Sequence, residues 1–343
     1  MTTTFTRIAA GALMAAATLA ATPAMAGKTL DAIKQRGQLI CGTNPSLPGF
    51  AAADSQGNWT GLDVDVCKAI AASILGDASK VKWVPLNASQ RFAVLQAGEI
   101  DILSRNTTWT LTRDASLGLE FTGVTYYDGQ GFMVPKKLKV TSAKQLKGAT
   151  VCVQSGTTTE KNLTDFSKAA NLNLKPVVFD TQEATNKAYF AGRCQAYTTD
   201  ASGLASVRNK EATNPDDHLI LPELISKEPL GPSVRRGDDE FFAIVKWVTF
   251  ALIEAEEYGI TQANVDQMKS STDPVVQRIL GTSEDTGKLL GLDKDWAYRA
   301  IKAVGNYGEI FERNVGPKSA LKLPRGANNL WNKGGFMYAP PVR

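Results

Sequence analysis

The chain has 343 residues, 43% hydrophobic and 21% charged, a balance within the range of ordinary globular proteins. A chain of this size buries about 75% of its unfolded surface, so it needs no metal or dense disulfide framework to fold, and its length accommodates one large domain or two ordinary ones. Basic residues number 38 against 34 acidic, too even a balance for a nucleic-acid footprint. The single histidine, His218, excludes an HExxH zinc site and leaves room for at most one histidine-based triad.

Residues 1–26 have the pattern of a secretory signal peptide. Arg7 supplies the positive start, Ile8 to Ala21 an apolar run, and Pro23-Ala24-Met25-Ala26 small residues that place cleavage after Ala26. The run falls short of the roughly 20 apolar residues of a membrane span, so the mature protein is expected to be exported and soluble. Export gives meaning to the four cysteines, since disulfides persist in oxidising compartments. Cys41, Cys67, Cys152 and Cys194 allow three pairings. Cys41–Cys67 with Cys152–Cys194 keeps each bridge local; four buried thiols packing as small hydrophobes is the alternative.

A short helix is expected over residues 29–36, ended at Gly37. A strand (39–43), a helix (63–75) closed by Gly76, a strand (81–86), a helix (89–97) stopped by Gly98 and a strand (100–103) follow. This βαβαβ order implies a parallel sheet covered by helices. The order recurs with strands at 150–154, 175–179 and 196–199 and helices at 158–170, 182–191 and 202–209. Between the runs lies an extended aromatic, glycine-rich segment, 125–135. A second extended stretch, 224–236, is broken by Pro229 and Pro232. Two crossings make two hinged lobes: 27–130 with 229–343, and 131–228. Residues 239–257 read as a helix apolar nearly all round, hence buried, and 293–313 as one amphipathic helix.

In open α/β sheets, ligands bind outside the carboxyl ends of strands. Three segments stand at such ends. Residues 105–113 offer amides, hydroxyls and the guanidinium of Arg113, which can clamp a carboxylate bidentately; its bland reading is a solvated helix charge. Gln154 to Glu160 opens a helix whose N–H groups attract anions; the bland reading is a capping box of Thr157 and Glu160. Asp200 can accept an ammonium, or merely cap the next helix. Together the three complement a zwitterion, an α-amino acid.

Gly61-Leu62-Asp63-Val64-Asp65-Val66, Leu95 to Asp101, Gly148 to Val151, Ser155 to Thr158 and Gly192 to Asp200 resemble the motifs of bacterial solute-binding protein family 3, the periplasmic receptors of polar-amino-acid ABC transporters, in register over about residues 30–255. The tail from Glu312 to Pro341 is similar to the general L-amino-acid-binding branch. The resemblance implies an α/β, two-lobed periplasmic binding protein fold of the Venus-flytrap kind, with two three-layer lobes joined by two crossing strands. It implies a non-catalytic periplasmic receptor that closes on a free L-amino acid and delivers it to ABC permease subunits in the inner membrane. Polar and acidic side chains are favoured, a glutamate/aspartate-specific protein being the alternative. By the same resemblance Arg113 clamps the α-carboxylate, Thr108 adds its hydroxyl, and Asn106 an amide or backbone contact. Thr157 and Thr158 give N–H groups from the second lobe, and Asp200 holds the α-ammonium. Arg91 reaches a side-chain carboxylate, while Asn44 and Gln154 line the cleft. Relatives cover the ligand with an aromatic ring after the first strand; here Ser46 to Phe50 makes that cover aliphatic or shifts it to Phe50. No cofactor or metal is implied, and nothing points beyond a monomer. An exported dehydratase or lyase on the same fold is the remote alternative: its acid–base candidates are Asp200, Glu160 and Asp63, none with an evident partner, and neither a GxSxG elbow nor a GxxxxGK[ST] phosphate loop occurs.

Overall fold

A computed structural model describes residues 28–343; the signal-peptide segment and its cleavage site lie outside the described residues. Two five-stranded sheets organise the molecule. The first runs Val81–Pro85, Leu39–Thr43, Ile102–Leu103, Ser233–Arg235, Leu119–Phe121, and the second Lys175–Phe179, Thr150–Gln154, Ala196–Asp200, Gln130–Pro135, His218–Ile220. In each, the first three strands are parallel and the last two run antiparallel to their neighbours. The βαβαβ pattern therefore accounts for three strands per sheet. Each extended segment that crosses between lobes adds one antiparallel strand, Gln130–Pro135 or Ser233–Arg235, because it enters its new sheet from the opposite end, and His218–Ile220 and Leu119–Phe121 pair on the far sides of these. The crossing itself is a two-stranded antiparallel pair, Tyr126–Asp128 against Glu228–Leu230.

The first lobe is the larger because three helices bury one another. Leu62–Leu75 is buried on almost every side, sandwiched between the sheet, Asp239–Glu257 and Trp296–Val304. Ser73 Oγ donates to the Trp296 carbonyl oxygen at 3.0 Å, and Trp296 Nε1 donates to Thr286 Oγ1 at 3.1 Å, so the polar atoms in this apolar layer are paired. The amphipathic stretch near 293–313 is two helices, not one. Gly305 turns the chain at φ 75°, and Asn306 and Glu309 form a capping box that starts Tyr307–Asn314. A small sheet of Ser46–Leu47, Ala51–Ala53 and Trp59–Thr60 has strands too short for periodicity to reveal.

The C-terminal extension is strapped to the hinge. Asn328 accepts from Tyr127 N at 2.6 Å through its amide oxygen and donates to Tyr127 O at 3.1 Å through its amide nitrogen. Tyr307 donates its hydroxyl to Thr125 O at 2.8 Å. Across the cleft, Asn44 Nδ2 donates to Gln182 Oε1 at 3.1 Å, Ser206 Oγ donates to Pro48 O at 2.7 Å, and an alanine-type Cβ at Gly156 would stand 3.1 Å from the Ser89 Cα. The lobes are closed on one another.

Both disulfides form within a lobe. Cys41, on the second strand of its sheet, is bonded to Cys67 on the helix Leu62–Leu75, and Cys152 is bonded to Cys194. They span 26 and 42 residues, which sets the unfolded-chain entropy that each removes. Paired Cys→Ser replacement is expected to lower the unfolding free energy by about 3.5 kcal/mol for the first bridge and about 4 kcal/mol for the second. Urea denaturation measures this; equal midpoints for wild type and both double variants would contradict it.

Candidate functional site

A small cavity lies between the lobes, at the carboxyl ends of the parallel strands. From the first lobe come Asn44, directly after Leu39–Thr43, and Leu47 from the small sheet. Arg91 stands in the first turn of Arg91–Gln96, and Arg105, Asn106 and Thr108 follow Ile102–Leu103. From the second lobe come Gln154 at a strand end, Thr157 and Thr158 at the start of Thr158–Ala169, Gln182, and Asp200 at the end of Ala196–Asp200.

Buried guanidinium groups dominate the first-lobe wall. Arg91 is 3% exposed, and its Nε has no hydrogen-bond partner. Burial, then the neighbouring Arg113 and Arg105, push its pKa well down. Arg105 donates Nε to Leu86 O at 2.9 Å; burial brings it down to about 10, opposed by Asp63. Arg113 sits in the short helix Leu111–Ser116, not as a solvated charge but buried. It is not among the residues lining the cavity; it reaches the wall through Thr108, donating Nη1 to the Thr108 carbonyl oxygen at 2.9 Å. Burial lowers it to about 10, against the pull of Glu228 and Asp200. The Arg91 and Arg113 guanidiniums lie 4.8 and 5.1 Å from the Phe92 ring centroid, so one aromatic ring steadies both cations.

Asp63 shapes the turn that carries this wall. It accepts from Asn106 N at 2.7 Å and from Ser104 Oγ at 3.2 Å, holding Asn106 at a positive φ of 34°. Burial raises its carboxyl to about 6. Glu160 is likewise occupied: it accepts from Gly156 N at 3.0 Å while Thr157 Oγ1 accepts from Glu160 N at 3.1 Å. The predicted capping box is thus shifted by one residue, and the Thr157 hydroxyl proton goes to Gln154 O at 2.8 Å.

Asp200 precedes the helix Ala201–Glu211, yet its side chain makes no capping bond. It lines the cavity instead. Burial, then Asp128 and Glu228, push its carboxyl well above the ordinary range, with Arg113 and Arg91 pulling the other way. Asp128, accepting from Ser202 Oγ and from Gly129 N, is raised to about 6, chiefly by burial.

The sequence-derived set is mostly assembled here: Asn44, Arg91, Asn106, Thr108, Gln154, Thr157, Thr158 and Asp200 all line one cavity. Phe50 does not. It is fully buried in the first-lobe core, edge-on to Tyr126 at 5.2 Å, while the aliphatic Leu47 lines the cavity. Arg105 and Gln182 were not singled out. Nor was Glu228, because an isolated glutamate in an extended, proline-broken segment carries no pattern that announces burial.

Residues 39–264 match the family described as bacterial extracellular solute-binding proteins, family 3. The chain belongs to that family. This family 3 member is 58% identical over 339 residues to the general L-amino acid-binding periplasmic protein AapJ of Rhizobium johnstonii, covering 98% of this chain and 99% of that protein. It is 57% identical over 324 residues to the glutamate/glutamine/aspartate/asparagine-binding protein BztA of Rhodobacter capsulatus, covering 93% and 95%. A periplasmic binding protein from Brucella ovis, solved with glutathione bound, superposes with a TM-score of 0.90 at 56% identity, covering 92% of this chain and 99% of that one. The two-lobed periplasmic binding protein fold follows, and the chain is a solute-binding protein, not an enzyme; two of the three acid–base candidates, Asp63 and Glu160, hold turns. Among the described residues no helix is long and apolar enough to cross a membrane.

Burial favours the neutral forms of Asp63, Asp128 and Asp200, so the folded, ligand-free protein binds these protons more tightly than the unfolded chain. The stability that Asp63 and Asp128 contribute therefore falls as pH rises from the ordinary value of 3.8 through about 6, and that of Asp200 falls likewise as pH rises from the same ordinary value. Asp200→Asn removes one share of that loss. Ligand-free, the variant should melt above wild type at about pH 7.5, with the gap narrowing toward about pH 4. A variant melting below wild type at the higher pH would show that Asp200 is already satisfied by the protein.

Proposed function

We propose that this protein is the periplasmic receptor of an ABC importer for L-amino acids, broad in specificity with polar and acidic side chains preferred, working as a monomer that delivers its ligand to permease subunits in the inner membrane. The observation that carries the reading is the division of charge across the cavity. Arg91 and Arg113 stand on the first lobe and Asp200 on the second, with the Arg91 Nε unpartnered and the Asp200 carboxylate uncapped. An α-amino acid supplies what each lacks. Its carboxylate meets Arg113 and the N–H groups of Thr108 and Thr158, and its ammonium meets Asp200. Asn44, Asn106, Gln154 and the Thr157 N–H complete the polar lining. The lobes, 27–130 with 229–343 and 131–228, then move about the strand pair at Tyr126–Asp128 and Glu228–Leu230, and the ligand favours the closed state because only there does it touch both.

Side-chain preference follows from Arg91. A buried guanidinium with a free donor suits a side-chain carboxylate or amide. The relatives named for general L-amino acids and for the glutamate, glutamine, aspartate and asparagine set support breadth over a glutamate/aspartate-only protein. A thermal-shift panel of the twenty amino acids tests this, since a ligand that binds only the folded form raises Tm. Upward shifts are expected for several polar ligands, glutamate and glutamine among them; shifts with glutamate and aspartate alone would overturn the broad reading.

Arg113→Ala leaves the ligand carboxylate buried without its partner, a loss of about 3–5 kcal/mol, or at least 100-fold in affinity, with the fold intact. Calorimetry finding wild-type affinity in that variant would refute the site. Arg91→Ala should weaken glutamate more than alanine or serine; equal weakening across the panel would remove Arg91 from side-chain recognition.

A further inference from the structure

Glu228 is 1% exposed on the return strand of the hinge, and its carboxylate gathers four side chains from three parts of the molecule. Oε2 accepts from Thr108 Oγ1 of the first lobe at 2.6 Å and from Thr158 Oγ1 of the second at 2.8 Å. Oε1 accepts from Asn162 Nδ2 at 2.8 Å and from Ser226 Oγ at 2.6 Å. A carboxylate only accepts, and each threonine hydroxyl has a single proton to give. With both protons directed at Glu228, the hydroxyl oxygens of Thr108 and Thr158, both of which line the cavity, offer it only lone pairs. The two oxygens lie 3.4 Å apart, so the lone pairs sit side by side.

We propose that Glu228 is a positioning residue that makes the cavity demand an α-ammonium. By drawing the two hydroxyl protons to itself, it turns Thr108 and Thr158 into acceptors that line the same cavity as Asp200, so a cationic donor is welcomed and a carboxylate or keto group in its place leaves acceptors unmatched. The hydroxyl assigned from sequence as a donor to the ligand carboxylate is therefore an acceptor; the carboxylate is left to Arg113 and backbone N–H groups. Because the two hydroxyls come from opposite lobes and meet one oxygen, the arrangement exists only when the cleft is shut. Ammonium selection is thereby tied to closure.

The inference rests on the amino-acid reading above, and the test separates the two. Calorimetry with L-glutamate and with glutarate, the same diacid lacking the ammonium, gives an affinity ratio for wild type and for Glu228→Gln. The amide can turn its NH₂ toward the threonines and release their protons into the cavity. The ratio is expected to fall by about 10- to 100-fold, the size of a hydrogen bond to a charged group. A purely structural role would weaken both ligands alike and leave the ratio unchanged, and that result would overturn the inference. Should Glu228→Gln not fold, Thr108→Val reads the same oxygen: it too should lower the ratio, and a ratio equal to wild type would refute the proposal. If wild type binds glutamate in neither assay nor any amino acid of the panel, it is the amino-acid reading that fails; glutamate binding with an unchanged variant ratio sinks the role of Glu228 alone.

Discussion

The structure is organised around charge that is buried before any ligand arrives. Three guanidinium groups, Arg91, Arg105 and Arg113, and the carboxyl groups of Asp63, Asp128, Asp200 and Glu228 are packed about one small cavity. An ion removed from water costs several kcal/mol unless something charged or strongly polar replaces the lost hydration. Glu228 finds that replacement in the protein, through two threonines, Asn162 and Ser226, and Asp63 finds part of it in the Asn106 N–H and Ser104. Asp200 and Arg91 do not find enough of it, and their pKa values move toward neutrality as a result. On the proposed reading, an amino acid whose ammonium meets Asp200 and whose side-chain carboxylate meets Arg91 relieves both at once. A micromolar receptor needs about −8 kcal/mol of binding free energy, and pre-formed, unsatisfied partners of opposite sign on two movable bodies are an economical source of it.

The hinge makes that relief cooperative with motion. Its two strands are short and form a two-stranded sheet with each other, with one further bridge from Leu230 of the returning strand to Thr108 of the first lobe. Yet they are not isolated. Asn328 and Tyr307 of the C-terminal extension grip the outgoing strand, and Glu228 at the start of the returning strand carries the hydroxyl contacts of both lobes. The extension therefore ties the hinge to the first lobe, and motion falls to the second lobe, whose rim touches the first through Gln182, Ser206 and the Gly156 turn.

Much of this was legible in the chain. Glycine stops and apolar periodicity marked the two βαβαβ runs, because each strand and helix is long enough to show its period. The cysteine pairing followed from keeping each bridge local. Arg113 and Asp200 were visible because strand ends are where such folds hold ligands. The failures have physical reasons as well. Phe50 looked like a ligand cover, but Gly61 lets the backbone of Phe50 approach closely, and the ring turns into the core against Tyr126. The long amphipathic tail hid a break because Gly305 and the Asn306 cap keep the apolar face in phase on both sides. Glu228 gave no local signal that announces its burial: three of its four partners are 66, 70 and 120 positions away, and only the closed fold assembles them.

A crystal structure of the protein with L-glutamate bound tests the central claim most directly. The account predicts one ligand in the interlobe cavity, its α-ammonium against the Asp200 carboxylate and its α-carboxylate within hydrogen-bond reach of the Arg113 guanidinium. A ligand whose two backbone groups both rest on the same lobe, with Asp200 and Arg113 left to water, would contradict it.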